Sequence, residues 1–115
     1  MGLLNSVSYV AVNSALDSLA LRQRAIADNV ANLQTPGYRA RVVEFEAELS
    51  RAVGQGSGAA DATIRRSSAA TQLNGNNVNL DEQTLLNVET NLRYQLATQA
   101  ASGQFSSVRA AMRTS

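Results

Sequence analysis

Three carboxylates at alternate positions, Glu44, Glu46 and Glu48, are the residues best spaced for chemistry in this chain. On a helix, Glu44 and Glu48 share a face, as paired general acids and bases sometimes do. Their surroundings point to something plainer. The chain has no histidine, cysteine, lysine or tryptophan, and Arg41 and Arg51 lie three residues outside the trio as ready ion-pair partners. The pattern therefore predicts a solvated helix face. The glycines of Gly54-Gln55-Gly56-Ser57-Gly58 have a phosphate loop's composition, but no hydrophobic strand precedes them and no strong helix follows. They read as a flexible linker continuing to Ala60. Without histidine or cysteine there is no Cys/His zinc site, disulfide, haem ligation by those residues, or Ser-His or Cys-His nucleophile. Without lysine there is no Walker-type loop or Schiff base. The expectation is no enzyme, no catalytic residue, no metal and no cofactor.

The composition limits the partners too. All ten basic residues are arginine, against nine acids, for a net charge of +1. That balance offers no electrostatic footprint for nucleic acid or an anionic membrane, and Arg65-Arg66 is the one adjacent basic pair. No apolar run approaches the roughly 20 residues of a membrane span. Met1 to Leu16 carry no charge, so the basic start of a cleaved secretory signal is missing. Of the 115 residues 44% are hydrophobic, but 19 of them are alanine and only 4% of the chain is aromatic, a thin supply for an independent core. Ten asparagines and eight glutamines suit hydrogen-bonding surfaces that meet other protein.

The elements that must position these residues fall into three parts: 1–37, 38–78 and 79–115. In the first, Val12, Leu16, Leu19, Gln23, Ile26, Val30 and Leu33 alternate spacings of four and three. This is a heptad seam for a shallow helix–helix crossing. Thr35-Pro36-Gly37 ends the helix, since proline pushes Thr35 out of helical geometry and Gly37 can take a positive φ. In the last part Asn79 caps and Glu82 reaches back, with Asp81 and Glu82 on the first turn and Arg109 and Arg113 near the end. Leu85, Val88, Leu92 and Leu96 form one stripe, and Ala101, Phe105, Val108 and Met112 another. The slip between the stripes predicts a bend or local unwinding near Gly103. In the middle, Val42 to Val53 reads as a short helix with Phe45, Leu49 and Val53 on one side, and 56–73 has no firm assignment. The fold class expected is mainly α: two long terminal helices packed as a coiled-coil-like pair, a short middle helix and a flexible polar linker.

One segment is more specific than a helix end. Asn29-Val30-Ala31-Asn32-Leu33-Gln34-Thr35-Pro36-Gly37-Tyr38 places two asparagines three apart on the heptad helix, directly before the turn. It resembles the signature of the bacterial flagellar rod, hook and hook-filament proteins, with Asp28 where that family often has asparagine. Val43 to Leu49, Gly75-Asn76-Asn77-Val78, Asn91 to Gln95 and Ser102 to Phe105 are similar to segments of its proximal rod members. The resemblance covers about residues 8–55 and 74–113.

That resemblance implies a structural subunit of the flagellar basal body, exported unfolded and assembled into a helical tube outside the cytoplasmic membrane. Its partners would be other copies, other rod proteins, the membrane-ring and export-gate base and a rod adaptor, with no nucleic acid and no small-molecule substrate. Asn29, Asn32, Thr35, Pro36, Gly37, Tyr38, Gly75, Asn76, Asn77 and Val78 would be the signature and assembly residues. Leu16, Leu19, Ile26 and Val30 would face Leu85, Val88, Leu92 and Leu96 across the seam. Heptads alone equally suit a soluble helical adaptor or secretion chaperone; the two asparagine blocks speak for the rod.

Overall fold

A computed structural model describes the backbone of residues 2–114, and side chains within 6–103 together with Ala110 and Met112. Helix α1 (Gly2–Ala31) leads to strand β1 (Arg41–Glu44), helix α2 (Glu46–Gly54), strand β2 (Thr63–Arg66) and helix α3 (Leu80–Thr114). At 1.5 Å per residue α1 and α3 run about 45 and 52 Å, in a chain measuring 66 × 25 × 14 Å. They pack antiparallel, since Gln23 reaches Asn91 while Asn29 reaches Gln83. As expected, the molecule is mainly helical, with long terminal helices against each other and a short helix between. Among the described residues no helix is long and apolar enough to cross a membrane.

Which face of α3 meets α1 differs from expectation. Leu85, Val88, Leu92 and Leu96 are each more than half exposed, and Val30 on α1 is 41% exposed. The covered face is Gln83, Leu86, Thr90, Tyr94, Ala97 and Ala101, buried or half-buried. It has three- and four-residue spacing but carries only Leu86 and Tyr94 as large side chains, the rest being small or polar. It lies two residues out of register with the leucines, about 200° round the helix. On α1 the seam holds at Leu19 and Ile26, which are buried, and at Leu16, which is half-buried. Asn29 takes the inward position beside Val30. Asn79 caps α3 as read, its Oδ1 accepting from Glu82 N at 3.1 Å. The helix continues through Gly103 without a break. Phe105, Val108, Arg109 and Arg113 lie outside the described side chains.

The middle is more ordered than its composition suggests. Residues 41–44 form a strand, not the start of a helix, pairing antiparallel with 63–66 in the register Arg41↔Arg66 and Val43↔Ile64. The adjacent β-branched Val42 and Val43 favour that state. Helix α2 begins only after Phe45, which is buried with Val43 and Ala52, while Val53 is exposed. Gly54–Ala60 is not a loose linker either. Ser57 N and Gly58 N both donate to Ala52 O, and Ser14 on α1 donates to Gly58 O at 2.9 Å and accepts from Ala60 N. Gly58 lies so close to α1 that a Cβ there would stand 2.6 Å from Val7 O. This close backbone contact requires glycine.

Candidate functional site

The two asparagine blocks, distant in sequence, meet at the end of α1. Asn29 faces inward in the last turn of α1 and is fully buried. Its Oδ1 accepts from Arg41 N at 2.8 Å and Tyr38 Oη at 3.1 Å. Its Nδ2 donates to Arg41 O and Gln83 Oε1, both at 3.0 Å. All four amide hydrogen bonds are made, so one side chain ties α1 to β1, the signature turn and α3. Asn76 is equally buried. Its Nδ2 donates to Asn32 O at 2.9 Å and Thr35 O at 2.8 Å, and its Oδ1 accepts from Val78 N. It therefore pins the turn that follows α1, sharing the Asn32 and Thr35 carbonyls with the turn's own N–H groups.

The remaining signature residues complete the junction. Gly37 turns at φ +75° and Gly75 at φ +84°, and Gly37 N donates to Asn74 O at 2.8 Å. Asn77 accepts from Ala40 N and donates to Ser67 O and Ala69 O, and its own N–H donates to Tyr38 O. Val78 is buried beside it. Thr35 Oγ1 donates to Asn32 Oδ1, and Asn32 Nδ2 reaches back to Asp28 O. Pro36 is exposed on the turn. Amides expected on the surface thus reach the interior: among the described residues the largest fully buried side chains are Asn29, Asn76 and Thr90.

A second cluster joins three helices. Arg22, 8% exposed, donates to both carboxylate oxygens of Glu46 at 2.6 and 2.8 Å and twice to Val43 O. Its guanidinium lies 4.8 Å from the centre of the Phe45 ring. Arg93 on α3 donates to Glu46 as well, at 2.6 Å, and pairs with Glu89. Hydrogen bonding from Arg22 lowers the Glu46 pKa to about 2 against the opposing effect of desolvation. Its companions in the carboxylate trio go elsewhere: Glu44 to Arg65 and Glu48 to Arg51. The trio is split between a strand and a helix, and each member is an ion-pair partner. No cluster of three potential metal-binding residues occurs among the described residues.

Sequence reasoning missed Gln83, Thr90 and the Arg22–Glu46–Arg93 link. The heptad spacing of Gln83, Leu86 and Thr90 was visible, but hydrophobicity singled out the leucines instead. The link from Arg22 to Glu46 has no local spacing rule.

Comparison with known proteins agrees with this junction. Residues 9–39, covering most of α1 and the signature turn, match the family model described as flagella basal body rod protein. The flagellar basal body rod protein FlgB of Escherichia coli K12 is 30% identical over 113 residues, spanning 78% of this chain and 81% of that one. FlgB of Borreliella burgdorferi is 28% identical over 81% of this chain and 86% of its own length. FlgB of Bacillus subtilis is 23% identical over 85% and 87%. With a buried junction built from the signature residues and likeness along most of its length, the chain belongs to the FlgB family of flagellar basal body rod proteins.

Proposed function

We propose that this chain is a structural subunit of the proximal flagellar rod, exported and assembled into a helical tube that transmits torque and continues the export channel. The observation that carries this reading is the stripe Leu85, Val88, Leu92 and Leu96. These four large apolar side chains lie along α3, on the face turned away from α1, each more than half exposed. A contiguous apolar ridge on a soluble surface marks a protein contact, and covering it with a neighbour supplies the burial that one chain leaves unmade. Asn29, Asn32, Thr35, Pro36, Gly37, Tyr38, Gly75, Asn76, Asn77 and Val78 then serve assembly indirectly, by fixing the angle at which α1 and α3 leave the junction. The neighbours are further copies, other rod proteins, the ring and export-gate base and the rod adaptor, outside the cytoplasmic membrane. The role is mechanical, with no substrate turned over. Deleting the coding region tests the reading against that of a soluble adaptor or chaperone. The expected result is a non-motile cell whose basal bodies stop at the base, and purified wild-type basal bodies that contain the chain. Complete rods formed without it, or basal bodies that lack it in wild-type cells, overturn the proposal.

A further inference from the structure

Two charged recesses on this chain have no ionic counterpart among the described residues. The first lies beside the signature turn, a cavity of about 380 Å³ walled by Thr35, Pro36, Gly37, Tyr38, Arg39 and Arg66. Both arginines are exposed, and neither forms an ion pair among the described residues. Other arginines there do so: Arg41 with Asp28, Arg65 with Glu44. Arg66 is nevertheless held in place. Its guanidinium lies 5.2 Å from the centre of the Tyr38 ring, and it donates to Arg39 O at 2.9 Å. Arg39 in turn donates to Ser67 O. Two cations are thus held at one recess by partners that do not neutralise them.

The second recess has the opposite sign. Asp17 on α1 and Asp61 on the loop before β2 line a cavity of about 370 Å³ with Ser14 and Ser18. Both carboxylates are exposed, and neither pairs with an arginine among the described residues. The loop is drawn against α1 by the Ser14 bonds to Gly58 and Ala60. Like charges gathered on one rim without a cation oppose that docking. Asp81 and Glu82 are also without ion pairs among the described residues, but they sit on the first turn of α3, where the helix dipole accounts for them. No described residue accounts for Asp17 and Asp61 in that way.

We infer that the Arg39–Arg66 recess of one copy receives the Asp17–Asp61 rim of a second copy. Charge complementarity selects this occupant, two cations against two carboxylates. Position supports it too: Asp17 lies about 20 Å along α1 from the helix end that carries the basic recess, at 1.5 Å per residue. Different patches meeting with an axial offset make a heterologous contact, which propagates as an open helix rather than closing as a two-fold dimer. This inference rests on the rod reading and adds the residues through which one copy meets the next.

The test uses the whole chain expressed in the deletion strain. Arg66→Glu alone and Asp61→Arg alone should each reduce motility to near the level of the deletion, and the two together should restore it at least tenfold. Because the chain has no cysteine, Arg66→Cys with Asp17→Cys provides a pair for a short bismaleimide. The two positions lie too far apart within one chain to be bridged there, about 20 Å at 1.5 Å per residue of α1. Assembled basal bodies carrying both should yield cross-linked dimers and higher bands, and either single variant should yield no such series. Silent charge reversals, singles that fail without rescue by the double, or only monomers in rods that contain the doubly substituted chain overturn the inference and leave the rod reading intact. Loss of the rod reading itself would appear separately, as wild-type basal bodies without this chain.

Discussion

Gly75 packs its backbone against that of Gly37: a Cβ on Gly75 would stand 3.2 Å from Gly37 Cα, and both residues lie at positive φ. The two asparagine blocks therefore touch main chain to main chain, and a side chain on the Gly75 side would have to push the Gly37 backbone aside. Gly37 has open space where its own Cβ would be. Gly75→Ala should accordingly lose about 2–3 kcal/mol, combining backbone strain with a crowded contact. Gly37→Asn should lose about 1 kcal/mol or less, and Gly37→Val more than Gly37→Asn, because a β-branched residue resists positive φ. Urea unfolding of the variants measures this, and equal losses at the two glycines would contradict it.

Asn29 and Asn32 share a motif but carry different burdens. Asn29→Ala strips partners from Arg41 N and Gln83 inside the fold and should cost about 2–4 kcal/mol. The Asn32 side chain bonds to Asp28 O and Thr35 Oγ1, close by in sequence, and the residue is half-buried. Its bond to Asn76 is made by the main-chain oxygen and survives truncation, so Asn32→Ala should cost under about 1 kcal/mol. Asn29→Asp should not restore stability, because it replaces the amide donor to two oxygens with an acceptor. Thermal melts of the three variants decide the order.

Glu46 should make stability depend on acid. Its folded pKa is depressed from 4.5 to about 2, so its contribution is complete above about pH 4.5 and disappears as pH falls through about 2. The carboxylate is 45% exposed, and solvent screening holds the expected cost of Glu46→Gln at pH 7 to about 1–2 kcal/mol. Wild type and variant should converge in stability near pH 2. A difference that persists unchanged to that pH would assign the role of Glu46 to packing instead of charge.

Leu92 and Thr90 are neighbours on α3 with opposite surroundings, 56% and 1% exposed. Leu92→Asp should leave the subunit folded and produced at normal level yet missing from rods. Thr90→Asp should unfold the chain, since a charge buried without a partner costs several kcal/mol. Circular dichroism of the purified subunits and immunoblots of isolated basal bodies separate the two outcomes. Normal incorporation of Leu92→Asp would remove the apolar stripe from the assembly surface.

Much of the fold was legible where local chemistry decides it. Asn79 caps α3, and the four-three spacing of Leu16, Leu19 and Ile26 marks an inward face. Pro36 and Gly37 shape the turn after α1, although the helix itself stops earlier, at Ala31. Such signals act within a few residues and need no knowledge of the partner. The α3 face was not legible, because its buried positions are Gln83 and Thr90, with Leu86 as its one half-buried leucine, while Leu85, Leu92 and Leu96 occupy the outside. Hydrophobicity finds the face that will be covered, and in a subunit built for assembly that covering need not come from its own chain. The strand at 41–44 escaped notice because its partner, Thr63–Arg66, lies beyond a Gly/Ser-rich stretch, and pairing across that gap is settled only in the folded chain. The signature residues were legible as a motif; that Asn29 and Asn76 lie inside, with their hydrogen bonds satisfied, was not.

An interior whose best-hidden side chains are two asparagines and a threonine has a thermal consequence. Exposing apolar surface raises the heat capacity on unfolding, and exposing amide surface lowers it. Opening this junction releases polar groups to water alongside few large aliphatic ones, so the increment should fall below the usual roughly 12–15 cal/mol/K per residue. A small increment flattens the curve of stability against temperature. The stability of the lone subunit should then change little between cold and warm surroundings, and so should the work of opening it before assembly.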